Sequence, residues 1–296
     1  MRDIIYEFLD YLSLEKKYSD HTEVNYEIDL DKYVAFLDAS KKHYLKVKYA
    51  DISEYIIYLK KSNYKANSIN RNLSTIRSFY NFLISVKKTD NNPFSLVSSV
   101  KTEKKLPNYF KYEEFIQMLE TLDDNTNLNT RNLLILELLL ATGLRVSELV
   151  NIKMQDINIQ EREIKVFGKG KKERIVFYGK LAEEKLQKYL EFARQELLKE
   201  KNNEYLLINH LGNKLTDRGV RLIIENILKK AQITSKVSPH TFRHTFATML
   251  LNNGCNIKSV QELLGHASIN TTSIYTHLTN EEIRRVYLGA HPRAKK

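Results

Sequence analysis

Apolar residues return every three to four positions through the first ninety residues, and this spacing predicts helix after helix. Ile4, Ile5, Phe8, Leu9 and Leu12 form one such face, and Val24, Ile28, Leu30, Tyr33, Phe36 and Leu37 a second. Ser19 or Asp20 is placed to cap the second helix, with Glu23 facing its first-turn amides. A third helix is predicted over 52–59, capped by Asp51, and a fourth over 68–86 with Ile69, Leu73, Ile76, Phe79, Tyr80 and Leu83 on one face. No glycine occurs in this stretch, as suits a compact helical bundle.

The pattern then breaks. Residues 87–107 are polar, contain Asn-Asn-Pro and Leu-Pro, and carry five lysines, which reads as a linker between domains. Helices are predicted again over 112–122 and 131–141, followed by three short alternating segments at 157–159, 163–167 and 174–177, the pattern of antiparallel strands. Gly168-Lys169-Gly170-Lys171 makes the turn between the last two. Helices resume over 183–199 and 217–231 and from Phe242 onward. The fold class is mainly α with a small antiparallel β-sheet in the second domain. The absence of parallel-strand alternation argues against a doubly wound nucleotide-binding fold.

Composition narrows the partner. In 296 residues, 47 Lys and Arg stand against 36 Asp and Glu, a net charge of +11. That balance favours nucleic acid or an anionic membrane surface, although a basic surface also serves solubility alone. Cys255 is the single cysteine, so an intramolecular disulfide and CxxC zinc sites are excluded; it reads as buried filler in a reducing, cytoplasmic setting. The N-terminus lacks a signal-peptide pattern, and the longest apolar run, 133–144, is interrupted by Glu137 and Thr142 and is too short to span a bilayer.

Familiar phosphate loops and zinc motifs are missing from the sequence. What remains is a cationic set: Arg145, Lys169, His240, Arg243 and His266, followed by Tyr275. With a helix starting near Pro239, His240 and Arg243 project from one face, and Gly265 marks the stop of the helix before His266. Two guanidiniums form forked bonds to phosphate oxygens, imidazoles donate bonds or move protons, a lysine reaches a leaving oxygen, and a tyrosine can act as nucleophile. Together these are the parts of a phosphoryl transfer that needs no metal and no cofactor.

Three blocks carry a resemblance: Ala-Thr-Gly-Leu-Arg-Val-Ser-Glu-Leu at 141–149, His-Thr-Phe-Arg-His-Thr-Phe-Ala-Thr at 240–248, and Leu-Leu-Gly-His-Ala-Ser-Ile-Asn-Thr-Thr-Ser-Ile-Tyr-Thr-His at 263–277. In this order the chain resembles the tyrosine recombinase (phage integrase) family over its full length, most like the Xer branch. The resemblance implies an N-terminal SAM-like, core-binding helical bundle (1–88), a linker (89–108) and a catalytic domain (109–296) whose last helix docks on a neighbouring protomer through Ile283, Val286 and Tyr287. It implies that Arg145 and Arg243 hold the scissile phosphate, that His266 and His240 assist, that Lys169 protonates the departing oxygen and that Tyr275 attacks. Glu148 is then placed to hold Arg145, a solvent-facing glutamate being the other reading.

For DNA contact, the resemblance points to Lys65, Asn67, Ser68, Arg71 and Arg77 on the fourth helix, with Asn70 and Ser74 beside them. Lys171, Lys172 and Arg174 beside the hairpin, and Arg218 and Arg221, are further candidates. The implied partners are a double-stranded DNA recombination site, three further protomers in a homotetramer or a heterotetramer with a paralogous recombinase on two DNA sites, and a DNA translocase; no membrane is implied. Resolution of chromosome dimers is the expected role. The alternatives are an integrase or resolvase of a mobile element, a type IB topoisomerase, and a DNA-binding regulator without chemistry.

Overall fold

The computed structural model describes residues 1–14, 20–102, 109–168, 173–265 and 279–294, with the side chains of residues 20 and 21 excepted. The chain divides into two compact units, Met1–Lys105 and Leu106–Lys296.

The first unit is the helical bundle that the apolar spacing predicts: α1 (Arg2–Leu14), α2 (Asp20–Ala39), α3 (Tyr49–Lys61) and α4 (Ala66–Ser85). Its core joins Phe8, Leu30, Tyr33, Tyr55, Ile76 and Phe79. A buried polar network crosses it. The Asn72 amide donates to the Asp29 carbonyl at 2.9 Å, and the Tyr55 hydroxyl donates to Asn72 Oδ1 at 2.8 Å. Buried polar atoms paired in this way cost little and fix the register of α2, α3 and α4.

Three expectations change here. Asp51 is not the cap of α3 but its third residue; from there its carboxylate accepts from the Lys48 backbone N–H at 2.7 Å. Of the two caps proposed for α2, Ser19 lies outside the described residues and Asp20 is the helix's first residue. The expected linker from residue 89 is, up to Val100, part of the bundle. Phe94 and Val97 are buried in its core, Arg77 donates to both their carbonyls at 2.9 Å, and Asn70 exchanges two bonds with the Val100 backbone. The reason is physical: an irregular segment without its own ladder needs partners for its carbonyls, and α4 supplies them.

The second unit is built on α6 (Asn127–Thr142), which packs against α8 (Lys180–Lys188), α9 (Arg194–Leu198) and α11 (Pro239–Asn252). Its all-round apolar sequence suits that burial. α5 (Tyr112–Glu120), α7 (Val146–Val150) and α10 (Asp217–Lys230) complete the shell, and a single π-helical turn, Tyr189–Ala193, joins α8 to α9. β1 (Ile157–Asn158), β2 (Glu163–Phe167) and β3 (Glu173–Phe177) form an antiparallel sheet in sequence order, with Ile164 opposite Val176. The turn at 169–172 lies outside the described residues.

α12 (Ile257–Leu264) and α13 (Asn280–Ala290) follow. The helix expected to dock on a neighbour packs within the single chain on its own domain: Tyr287 is buried with Phe177, Phe246 and Leu264, and Ile283 and Val286 pack against the same cluster. The tail beyond it is anchored too, with His291 Nε2 3.2 Å from the Leu140 carbonyl and Arg293 paired with Glu137. Cys255 is buried, as expected of filler, and burial pushes its thiol up from the ordinary value. Among the described residues no helix is long and apolar enough to cross a membrane.

Candidate active site

The site begins where α6 stops. Gly143 sits in the left-handed region at φ +61°, and a Cβ there would fall 2.5 Å from the Phe246 ring, so glycine is required twice over. The chain turns through buried Leu144 to Arg145, which caps α7. Glu148, three residues on, binds Arg145 twice: Oε2 accepts the backbone N–H at 2.8 Å and Oε1 meets Nη1 at 2.7 Å. The expected Glu148–Arg145 contact is therefore present, and the solvent-facing reading of Glu148 is not, its side chain being only 3% exposed.

Arg243 arrives from α11, whose start has Ser238 as cap and Pro239 in the first turn. Its Nη1 donates to the Gly143 carbonyl at 2.8 Å and its Nη2 to the Leu264 carbonyl at 2.5 Å, joining the C-terminal ends of α6 and α12. It also lies 4.0 Å from Glu148 Oε2. Burial and the neighbouring Arg145 push the Arg243 guanidinium down to about 10 against the pull of Glu148. His240 is exposed one turn earlier, and Gly265, in the left-handed region, ends α12 as the sequence predicts.

A third guanidinium completes the cluster. Arg174 of β3 places both terminal nitrogens 2.8 Å from the two Glu148 oxygens. Its side chain is 14% exposed, whereas that of Arg145 is 38% exposed. Three guanidiniums around one carboxylate leave a net positive centre with Arg145 as its open face, an arrangement suited to an anion such as a phosphodiester. Lys169, His266 and Tyr275, with Lys171 and Lys172, lie outside the described residues. Among the described residues no three His, Cys, Asp or Glu side chains gather to hold a metal ion.

Residues 108–282 match the model of the phage integrase family, and residues 5–87 that of the phage integrase N-terminal SAM-like domain. The chain belongs to the phage integrase family. It is 41% identical over 289 residues to tyrosine recombinase XerC of Staphylococcus aureus (strain bovine RF122 / ET3-1), a match covering 98% of this chain and 96% of that one. This integrase-family chain is thus an Xer-like tyrosine recombinase, an enzyme of site-specific DNA strand transfer. The crystal structure of XerA recombinase matches at 30% identity and a TM-score of 0.50, covering 98% of this chain and 99% of that one. XerH site-specific recombinase bound to palindromic difH substrate matches at 22% identity and a TM-score of 0.72, covering 99% and 86%, and speaks for the fold.

The recombinase's other expected DNA contacts divide. Lys65 and Asn67 are exposed at the start of α4 and Ser68 is half-buried; Arg218 and Arg221 are exposed on α10. Arg77 is turned inward onto the Phe94 and Val97 carbonyls, and Arg174 onto Glu148, so neither presents a free guanidinium to a DNA backbone. Arg71 is bound through Nε and Nη2 to the two oxygens of buried Asp29, each at 2.9 Å, and so is committed within the bundle although half-exposed. The pairing of Arg174 was missed despite a usable signal. Strand alternation puts it on the same face as buried Val176, and an inward arginine demands an acidic partner.

Proposed function

We propose that this recombinase cuts and rejoins duplex DNA at a specific site through a 3′-phosphotyrosyl link, with Tyr275 as nucleophile. The observation that supports this reading is the convergence of Arg145, Arg243 and Arg174 on Glu148, with Arg243 held by the Gly143 and Leu264 carbonyls. Arg145 and Arg243 bind the non-bridging oxygens of the scissile phosphate and stabilise the charge that grows on them as phosphorus becomes five-coordinate. The Tyr275 oxygen bonds to phosphorus, the bond to the 5′ oxygen breaks, and Lys169 gives that oxygen a proton. His240 takes up the tyrosine proton and His266 donates a further bond to the phosphate. Bond energy stays in the protein–DNA link, so rejoining needs only attack by a 5′-hydroxyl.

The cellular role we assign is resolution of chromosome dimers in the cytoplasm, by likeness to XerC. The working assembly is four protomers on two DNA sites, either of one kind or shared with a paralogue, with a DNA translocase as the activating partner. Lys65, Asn67, Ser68, Lys171 and Lys172 contribute to a grip on backbone phosphates that weakens steeply as salt rises, in keeping with the net charge of +11.

The test is covalent capture. A duplex selected from a random library by the protein's own binding is nicked beside the candidate phosphate and incubated with the protein. A denaturation-resistant protein–DNA band is expected with the wild type and none with Tyr275→Phe. Persistence of the band in Tyr275→Phe would remove Tyr275 as nucleophile.

A further inference from the structure

Arg174 sits where several parts of the site meet. It pairs across the sheet with Val166 of β2 and shares its strand face with Val176, so its side chain enters the domain. Its two terminal nitrogens fork onto Glu148, and Glu148 in turn fixes both the backbone N–H and the guanidinium of Arg145. Its stem lies against the end of α12: a Cβ at Gly265 would fall 2.9 Å from Arg174 Cδ and 3.1 Å from Nε. The Leu264 carbonyl, one residue earlier, is the one that Arg243 holds.

Resting on the reaction described above, we propose that Arg174 is a positioning residue for strand transfer: it locks the plane of the Glu148 carboxylate, and through it the Arg145 guanidinium, while packing against the chain that leads to His266. Arg145 reaches the two Glu148 oxygens through one backbone and one side-chain donor, and the guanidinium fork from Arg174 adds a second bond to each of them, so that the carboxylate plane no longer depends on the flexible Arg145 side chain. A lysine would supply the charge without that geometry. The charged groups facing Glu148 among the described residues are Arg145 at the start of α7, Arg174 from β3 and Arg243 from α11. Burial pushes the Glu148 carboxyl up, but Arg174 and then Arg145 outweigh it and bring it to about 2. Loss of Arg174 therefore raises it, and protonation of Glu148 would release Arg145.

The experiment measures single-turnover cleavage of the selected nicked duplex, DNA affinity and its salt dependence, over a range of pH. Arg174→Gln is expected to slow cleavage at saturating DNA by about 10²-fold, the scale of a misplaced reacting group. Its affinity and salt slope stay at wild-type values, and its rate falls off at higher pH on the acid side than that of the wild type. Arg174→Lys recovers part of the rate, and Arg174→Gln combined with Glu148→Gln is no slower than Glu148→Gln alone. A loss of affinity and salt slope with an unchanged saturated rate would make Arg174 a phosphate contact and overturn the proposal. So would full activity of Arg174→Lys, which also carries the comparison if Arg174→Gln does not fold. Failure of the wild type to form a Tyr275-dependent adduct would instead overturn the reaction itself.

Discussion

Two buried glutamates of the second unit, Glu137 and Glu148, meet arginines in opposite ways. Glu137, in the middle of α6, has one ion-pair partner among the described residues: Arg293, whose Nε lies 3.0 Å from Oε2 and whose Nη2 meets Oε1. Arg293 also donates to the Tyr112 hydroxyl at 2.7 Å and lies over the Phe115 ring. Glu148 gathers Arg145, Arg174 and Arg243. Burial holds the Glu137 carboxyl above the usual range despite Arg293, while Glu148 is brought to about 2. Both side chains are nearly closed off from solvent, Glu137 the more deeply, and the sharper contrast lies in their partners. Glu148 faces three guanidiniums where Glu137 faces one, and it is these that carry its carboxyl below the ordinary value. A single sealed pair fastens a chain end; a carboxylate outnumbered by guanidiniums organises positive charge for something that arrives later.

The largest expected effect comes from breaking the sealed pair. Arg293→Ala leaves Glu137 buried without its partner and is expected to cost about 3–5 kcal/mol in denaturant unfolding. Replacing both residues by leucine is expected to recover most of that loss, because a buried ion pair contributes little beyond an apolar contact of similar volume. A loss below about 1 kcal/mol in Arg293→Ala would mean that the tail is not fastened by this pair.

Glu148→Gln tests the other member. Its expected effect is on rate, about 10²-fold slower single-turnover cleavage at saturating DNA, near 2.7 kcal/mol of barrier. Glu137→Gln is expected to leave the rate of the folded enzyme unchanged. Equal losses of rate in the two variants would erase the distinction between a fastening carboxylate and an organising one.

The same contrast explains what could be read from the sequence. α1, α4, α10 and the three strands announce themselves because each has one buried face, and periodicity reports a buried face directly. Pro239, Gly143 and Gly265 are equally legible, since their backbone requirements are local. Glu137 looked like a mere interruption of an apolar run because its partner lies 156 residues away. Phe94 and Val97 were hidden in a polar stretch because single apolar anchors have no period. Arg77 and Arg174 were read as DNA contacts on charge and position; their carbonyl and carboxylate partners belong to tertiary structure. Arg145, Arg243 and Glu148 were legible because their spacing matched a family pattern.

The smallest effect is the most discriminating, because it concerns sign. Glu148 has its folded value below that of the unfolded chain, so its contribution to stability is complete above the unfolded value and is lost as pH falls toward about 2. Glu137 has its folded value raised, so its contribution is complete below the unfolded value and is lost as pH rises through the raised one. Each slope is bounded at about 1.4 kcal/mol per pH unit for a single group. Denaturant unfolding of wild type, Glu148→Gln and Glu137→Gln from about pH 3 to about pH 7 reads both. As pH rises, the wild type is expected to gain on Glu148→Gln and to lose ground to Glu137→Gln. Parallel trends in the two comparisons would mean that burial governs both carboxylates alike, and that three arginines do no more for Glu148 than one does for Glu137.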